Sequence, residues 1–254
     1  MNDILAATKL PIPSPTILFI KPAHLQSMSS SVTTKAKESS LLYSFANRHK
    51  MSGLTDGFIT KDSLWDRMVF DDARLTVLGD SANTVRAVVT SGGESSHGLT
   101  YILQCLTYFF LGPLESSYLT PARIALSVFL VNSHTHPVAA GPLFASHPID
   151  LQIIPASSQD TGDSFAHIAH VGPPSANIEA KLVCVKDESV ENGADPVGML
   201  MVRGPSVSKV LGVGEDSYVE VPSSSDEGWV VTGERAKVLA NGAFKVAASR
   251  RPIT

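Results

Sequence analysis

Residues 85–94 read Val-Arg-Ala-Val-Val-Thr-Ser-Gly-Gly-Glu, and this stretch indicates the class of fold. Its first six residues are rich in valine, which predicts a buried strand over residues 85–90. Ser91, Gly92 and Gly93 follow directly and lead toward a helical pattern. In an open parallel sheet such a turn lies at the carboxyl end of a strand, where ligands bind, and glycine lets a flat ligand approach the backbone. Without further context, an ordinary turn is the alternative interpretation.

The residues around this strand alternate between short apolar runs and helical patterns. A strand is predicted at Ile17–Ile20, and helices are predicted near residues 41–46 and over residues 61–73. The second helix is expected to bury Leu64, Trp65, Met68 and Val69. Further strands are predicted at residues 75–78, 125–132 and 151–154. This alternation predicts a layered α/β unit over residues 1–162, built on a largely parallel sheet.

The sequence pattern changes beyond about residue 162. Short β-prone runs, separated by Asn, Gly, Asp and Pro, predict a small antiparallel, β-barrel-like unit over residues 163–254. Its strongest local signal is a hairpin over residues 236–247. The two strands are joined by Asn241-Gly242, a pair that favours a type I′ turn.

Composition excludes several classes of function. The chain has 254 residues, 43% of them hydrophobic, which is enough for a sizeable core. A net charge of −4 without a Lys/Arg-rich run argues against nucleic acid as a partner.

Two cysteines, Cys105 and Cys184, cannot form a disulfide scaffold, so we expect a reducing, intracellular compartment. Prolines near the amino end interrupt any signal peptide, and the apolar run 99–112 is too short to span a membrane, so it predicts a buried helix.

Residue patterns taken one at a time identify no catalytic centre. The sequence contains no GxxxxGK[ST] or GxGxxG phosphate loop and no GxSxG nucleophile motif. His134 and His136 lie two apart, as on one side of a strand, and His167 and His170 lie three apart, as on one face of a helix. Because no cysteine or acidic residue stands at ligand spacing beside either pair, we expect these histidines to hold no metal.

Taken in order along the chain, several short motifs resemble the middle of long-chain acyl-CoA synthetases, which are AMP-forming members of the adenylate-forming (AMP-binding) superfamily. The first group, compared with LWD, VF, LGG and SGxAP in the family, consists of Leu64-Trp65-Asp66, Val69-Phe70, Leu78-Gly79-Asp80 and Ser91-Gly92-Gly93. The second group, compared with VGxPxPxxExKL, VRGP and GWxxTGD, consists of residues 170–182, 202–205 and 228–234. Together the motifs cover nearly the whole chain in the correct order.

The resemblance implies a partial adenylation domain and the chemistry of that family. The family forms an acyl-adenylate from a carboxylic acid and ATP with Mg²⁺, and then transfers the acyl group to CoA. By the same resemblance, the nucleotide contacts fall on Ser91, Gly92, Gly93, Thr135, Glu234 and Arg250. Glu234 replaces the ribose-binding aspartate of the TGD motif, and Arg251 is the alternative to Arg250. A fatty acid would be the second ligand, and the location would be cytoplasmic or peripheral on the endoplasmic reticulum or peroxisome.

Three parts of the family's catalytic machinery have no counterpart in the sequence. The phosphate loop with its lysine would lie upstream, and residues 1–26 contain nothing like it. The YGxTE loop corresponds to residues 133–138, which lack its tyrosine and its magnesium-binding glutamate. The catalytic lysine belongs to a C-terminal subdomain beyond Thr254. We therefore expect the fatty acid–CoA ligase reaction to be absent or incomplete. The alternatives are a nucleotide- or acyl-binding pseudoenzyme and a module of a larger adenylating protein that supplies the missing subdomains.

Overall fold

The computed structural model describes residues 14–91, 114–152, 164–208, 210–212, 218–220 and 228–247. Its strands are β1 (Ile17–Ile20), β2 (Ala87–Ser91), β3 (Phe129–Thr135), β4 (Pro142–Ala145), β5 (Glu179–Val183), β6 (Val197–Arg203), β7 (Val210–Gly212), β8 (Tyr218–Glu220), β9 (Val230–Val238) and β10 (Phe244–Ala247). Its helices are α1 (Pro22–Ser39), α2 (Tyr43–Thr55), α3 (Asp71–Leu78), α4 (Ser81–Thr84), α5 (Leu119–Leu126) and α6 (Asp187–Glu191). A π-helical turn, Asp66–Phe70, precedes α3, and a 3-10 turn, Ser116–Tyr118, precedes α5.

The first sheet has the strand order β1-β2-β3-β4, with β1, β2 and β3 parallel and β4 antiparallel to β3. Leu18, Val88 and Leu130 are paired across the three parallel strands, and all three are buried. They belong to the same apolar core as α1, α3 and α5, so one face of the sheet is covered by helices. The predicted α/β layer with a largely parallel sheet is therefore confirmed.

The second sheet has the order β10-β9-β6-β5, and all its neighbours are antiparallel. Its core contains Leu200, Val230 and Phe244, and it also takes up Phe144 from β4, whose ring centroid lies 4.8 Å from that of Phe244. The predicted antiparallel unit is confirmed as a separate sheet. The proposed boundary at residue 162 lies outside the described residues, and it stays a prediction.

Gly172 joins the two sheets at a point that only glycine fits. Its carbonyl accepts a hydrogen bond from Phe244 N at 2.9 Å, and Val171 N donates to Phe244 O at 2.8 Å. Its φ is +84°, and a Cβ there would lie 2.1 Å from the carbonyl oxygen of Ala145. The backbone between β4 and β10 is therefore packed too closely to admit a side chain.

The hairpin turns where it was predicted, but its turn type is different. Leu239 N donates to Ala243 O at 2.8 Å, and Gly242 N donates to Leu239 O at 2.9 Å, so the loop has three residues. Gly242 has a φ of +78°, whereas Asn241 is not among the residues with positive φ. A type I′ turn requires positive φ at both positions, and this prediction is wrong. The side chain of Asn241 instead accepts a hydrogen bond from Ala243 N.

Several local predictions are corrected by the structure. Residues 75–78, predicted as a strand, form the end of α3, and the predicted strand 125–132 begins only at Phe129 because α5 extends to Leu126. Leu151 and Gln152 lie outside any strand, and the rest of that prediction lies outside the described residues. The Ser/Thr-rich residues 27–34 lie within α1.

The buried face predicted for the helix around Asp66 is correct in half of its residues. Val69 is buried and Trp65 packs against the core, whereas Leu64 and Met68 are exposed. Asp66, Phe70 and Arg74 are buried at helical spacing. The apolar run 99–112 lies outside the described residues. Among the helices that are described, none is both long and apolar enough to cross a membrane.

Asp66 is fully buried and is held by ionic and hydrogen-bonding partners from three helices. Lys50 of α2 donates to both of its carboxylate oxygens at 2.8 Å, and Arg74 of α3 lies 2.8 Å from Oδ1. Ser127, which follows α5, donates to the same oxygen at 3.3 Å. Burial would raise the pKa of Asp66, but the hydrogen bonds from Lys50 and Ser63 and the charge of Arg74 outweigh it, and the pKa is lowered. The carboxylate is therefore ionised in the folded protein.

Replacing Asp66 by Ala should destabilise the fold by about 3–5 kcal/mol, because Lys50 and Arg74 would remain buried without their counter-charge. The free energy of unfolding in urea measures this. Asp72→Ala is the matched control, since Asp72 lies on the same helix and is exposed. We expect the control to change stability by no more than about 0.5 kcal/mol. Equal losses in the two variants would contradict the role assigned to Asp66.

Candidate functional site

Ser91 and Thr135 meet at the carboxyl ends of two neighbouring parallel strands. Ser91 is the last residue of β2 and Thr135 the last of β3, and the strands pair in register up to Ser91 opposite Ser133. The two side-chain hydroxyls lie 2.9 Å apart and form a hydrogen bond. The structure thus brings together two of the predicted site residues at the edge of the sheet where ligands bind in open α/β folds.

Glu234 reaches the same strand end from the second sheet. Its Oε2 atom lies 2.9 Å from Nε2 of His134, the neighbour of Thr135 in sequence, and both side chains are buried. His134 lies on β3 and Glu234 on β9, so this contact connects the two sheets. The other carboxylate oxygen, Oε1, has no donor among the described residues.

The strand β9 is irregular around Glu234. Pairing of β6 with β9 places Met199 opposite Arg235 and Met201 opposite Val231. Leu200 alone therefore faces Thr232, Gly233 and Glu234, which form a bulge. Gly233 has a φ of +77°, Thr232 Oγ1 donates to Leu200 O at 3.0 Å, and Glu234 N donates to Thr232 Oγ1 at 3.2 Å. The bulge adds two residues, so burial still alternates along β9, and Glu234 is buried on the same side as Thr232 and Ala236.

A second set of polar contacts, centred on His170, holds β3 at Asn132. The side-chain amides of Asn132 and Gln152 both donate to the carbonyl oxygen of His170, at 3.0 and 2.9 Å. His170 Nε2 lies 3.0 Å from Asp150 Oδ2, and its Nδ1 accepts a hydrogen bond from Gly172 N at 3.2 Å. Burial lowers the pKa of His170 despite the opposing charge of Asp150. The imidazole thus links Asp150 to the backbone at Gly172, and the carbonyl group of the same residue contacts β3 through Asn132.

The remaining predicted site residues have different outcomes. Gly92, Gly93 and Arg250 lie outside the described residues. Of the histidines considered for a metal, His134 pairs with Glu234, and His136 Nδ1 accepts a hydrogen bond from Val138 N. Over the part of the chain that the structure describes, no three His, Cys, Asp or Glu side chains converge as a metal site requires.

Sequence reasoning missed the contact between His134 and Glu234. The two residues are 100 positions apart and belong to different sheets. Neither residue lies in a local pattern that points to the other, and only the resemblance of residues 232–234 to the TGD motif marked Glu234. Near the end of β3 the described residues offer two neutral hydroxyls and, on the side of His134, a carboxylate oxygen with no donor in the described part of the chain. Groups of this kind bind polar ligands that carry hydroxyl groups.

Comparison with known proteins gives sequence relatives over nearly the whole chain. The chain is 25% identical over 246 residues to long-chain-fatty-acid–CoA ligase 1 of Homo sapiens, covering 96% of this chain and 29% of that protein. It is 24% identical over 249 residues to long-chain-fatty-acid–CoA ligase 5 of Mus musculus, covering 94% and 29%. The chain thus spans less than a third of the length of these curated relatives. No protein-family model matches it.

One of the solved structures that align with this chain is the anthranilate CoA ligase AuaEII in complex with anthranoyl-AMP. The TM-score is 0.47 and the sequence identity is 15%. The alignment covers 98% of this chain and 32% of the AuaEII chain. A malonyl-CoA ligase with methylmalonyl-CoA and AMP bound has a TM-score of 0.47, 13% identity, and coverage of 93% and 34%. The sequence relatives support the resemblance to the AMP-binding, adenylate-forming superfamily, and the similarity covers only part of those proteins' length. Within that superfamily it is similar to long-chain-fatty-acid–CoA ligases.

Replacing Glu234 by Ala should lower the free energy of unfolding by about 1–3 kcal/mol, because the buried His134 ring nitrogen loses its partner. Glu234→Gln keeps an oxygen that can accept the hydrogen bond, so its loss should be smaller. Glu179→Ala is the control, since it removes an exposed ion pair with Arg203 and should cost less than about 1 kcal/mol. Urea denaturation of the three variants measures the differences. Equal losses for the Ala and Gln variants at position 234 would contradict the assigned contact.

Proposed function

We propose that this chain carries the nucleoside-binding part of an AMP-forming fatty acid–CoA ligase and does not complete the ligase reaction by itself. The observation that carries the proposal is the carboxylate of Glu234, anchored 2.9 Å from His134, the residue that precedes Thr135 on β3. Sequence similarity to long-chain-fatty-acid–CoA ligases supports the same reaction class.

Glu234 would hold the ribose. His134 fixes Oε2, which leaves Oε1 to accept hydrogen bonds from ribose hydroxyls. A hydrogen bond to a charged acceptor contributes about 1.5–3 kcal/mol. The glutamate is one methylene longer than the aspartate of the family motif, a difference of roughly 1 Å that would matter in a positioned site. The hydrogen bond to His134 fixes where the longer side chain ends.

Ser91 and Thr135 would lie beside the first phosphate of the nucleotide. Both are neutral hydroxyl donors, and the residues corresponding to the YGxTE loop, 133–138, add no cation of fixed charge. Gly92, Gly93 and Arg250 belong to the proposed nucleotide site through the family resemblance alone. Because neither Ser91 nor Thr135 brings a positive charge to the outer phosphates, we expect ATP to gain little over AMP.

Magnesium does not fit the described residues. Residues 133–138 contain no carboxylate, and one of the two oxygens of Glu234 is already bonded to His134. In the family's first step the carboxylate of the acid attacks the first phosphate of ATP and pyrophosphate leaves. The charge that develops on pyrophosphate must be neutralised, which the family achieves with a metal ion, a loop and a lysine. The proposal therefore assigns nucleotide binding to this chain, with fatty acid and CoA as the further ligands of the complete reaction.

Calorimetric titration of the chain with AMP and with ATP tests the proposal. We expect dissociation constants within about tenfold of one another, both raised about tenfold by Glu234→Ala. Glu179→Ala is the control, because that side chain is exposed on β5 and distant in sequence from the site. Absence of binding by either nucleotide up to about 10 mM would refute the nucleotide assignment. Much tighter binding of ATP than of AMP would reveal a phosphate site that the proposal lacks.

The ligase part of the proposal has its own test. Pyrophosphate release is measured with a long-chain fatty acid, ATP, Mg²⁺ and CoA, and we expect no turnover above the background without protein. Enzymes of ordinary efficiency turn over at about 1–10³ per second. A rate in that range would show that the chain supplies the phosphate-neutralising groups after all. Nucleotide binding without turnover supports both parts of the proposal.

A further inference from the structure

A cavity of about 320 Å³ lies at the opposite end of the parallel strands from the nucleotide site. It is bordered by Val85 and Arg86, which precede β2, and by Ser127 and Phe129, where β3 begins. At about 3.3 Å per residue, the length of β2 separates this cavity from Ser91 by roughly 15 Å. The cavity is therefore a separate place in the fold from the proposed nucleotide site.

Basic side chains predominate in the lining of the cavity. Its ionisable residues are Lys61, Asp62, Arg67, Asp71, Arg74 and Arg86. Arg74 is already neutralised, because it lies 2.8 Å from Asp66 and 3.2 Å from Asp71. Three cations then remain against the single carboxylate of Asp62, an excess of two positive charges. This excess is local, since the chain as a whole has a net charge of −4.

The three remaining cations have unused hydrogen-bonding capacity. Lys61 donates to the backbone carbonyls of Ala82 and Val85 at 2.9 and 2.6 Å, and it has no carboxylate partner within the described ranges. Arg67 and Arg86 are exposed, and neither guanidinium makes a hydrogen bond or an ion pair with another described residue. Two guanidinium groups, each with several N–H donors, are therefore exposed at this cavity, and the ammonium group of Lys61 also lines it.

Burial and the positive charges around the cavity lower the pKa of Lys61. Burial is the largest cause that lowers the pKa of Lys61 to about 8, and the neighbouring charges of Arg74 and Arg86 lower it further. Asp71 and Asp66 oppose the shift without cancelling it. An anion in the cavity would relieve this repulsion.

We propose that this cavity binds a phosphate-class dianion, in the form of a phosphate monoester. Guanidinium groups match phosphate oxygens in paired hydrogen bonds, and two excess charges match the charge of a dianion. The volume is at the lower end of the range for small-molecule sites, about 300–1,000 Å³, so it has room for a phosphate that carries a small organic group. Asp62 and Asn83 at the lining supply polar contacts for hydroxyl groups of that organic part.

Calorimetric titration with inorganic phosphate and with glycerol phosphate, at constant ionic strength, tests the proposal. We expect saturable binding of both, with the ester binding more tightly because it also contacts the polar lining. Arg67→Gln and Arg86→Gln should each weaken binding about tenfold. Arg48→Gln is the matched control, because Arg48 is exposed on α2 and removes the same charge away from the cavity. Thermal unfolding of each variant shows that it is folded.

Equal weakening by all three arginine variants would overturn the proposal, since it would indicate attraction to overall charge and no defined site. No saturable binding of either probe up to about 10 mM would also overturn it. Binding of inorganic phosphate with no preference for the ester would refute the organic part of the assignment. Glu234→Ala should leave the phosphate affinity unchanged, so failure of the nucleotide proposal and failure of this one are distinguishable.

Discussion

The buried carboxylate of Asp66 is the interaction on which the first sheet depends. An ionised group without contact to water must be surrounded by partners, and Lys50, Arg74 and Ser127 supply them from three different helices. Ser127 also ends α5 in the left-handed conformation, with a φ of 49°, two residues before β3 begins. Through Ser127 the carboxylate network contacts the segment that leads into β3, the strand that ends at Thr135.

The end of β3 is held by polar contacts that come from distant parts of the sequence. His134 bonds to Glu234 of the second sheet, and Asn132 bonds to the backbone of His170. Gly172 allows the next segment to pack against β4 because no side chain occupies the space beside Ala145. The first contact joins the two sheets directly, and the other two join the first sheet to residues 170–172, whose backbone pairs with Phe244 of β10. The site is consequently a property of the packing between the sheets and requires both of them to be folded.

These features explain which parts were predictable from the sequence. The strands at residues 17–20 and 85–90 were predicted because buried parallel strands are continuous apolar runs, and the hairpin was predicted because Asn-Gly is a local signal. Residues 75–78 were assigned to a strand because the buried face of their helix is built from Asp66, Phe70 and Arg74, and charged residues are not counted as core by an apolar pattern. The contact between His134 and Glu234 spans 100 residues, so no local period could contain it. Ser91, Thr135 and Glu234 were identified only because the motifs resemble those of a family.

The two ends of the parallel strands differ in charge, and this difference supports two independent ligands. The carboxyl ends carry two hydroxyls and a carboxylate, which suit the hydroxyl-rich nucleoside proposed there, whereas the amino ends carry an excess of cations. Charges in solution at physiological ionic strength are screened over about 8 Å, which is less than the length of β2. A charged ligand bound at one end of the strands therefore has only a slight electrostatic effect on the affinity for a ligand at the other end. Coupling between them would have to pass through β3, whose beginning follows Ser127 in the Asp66 network and whose end carries the bond to Glu234.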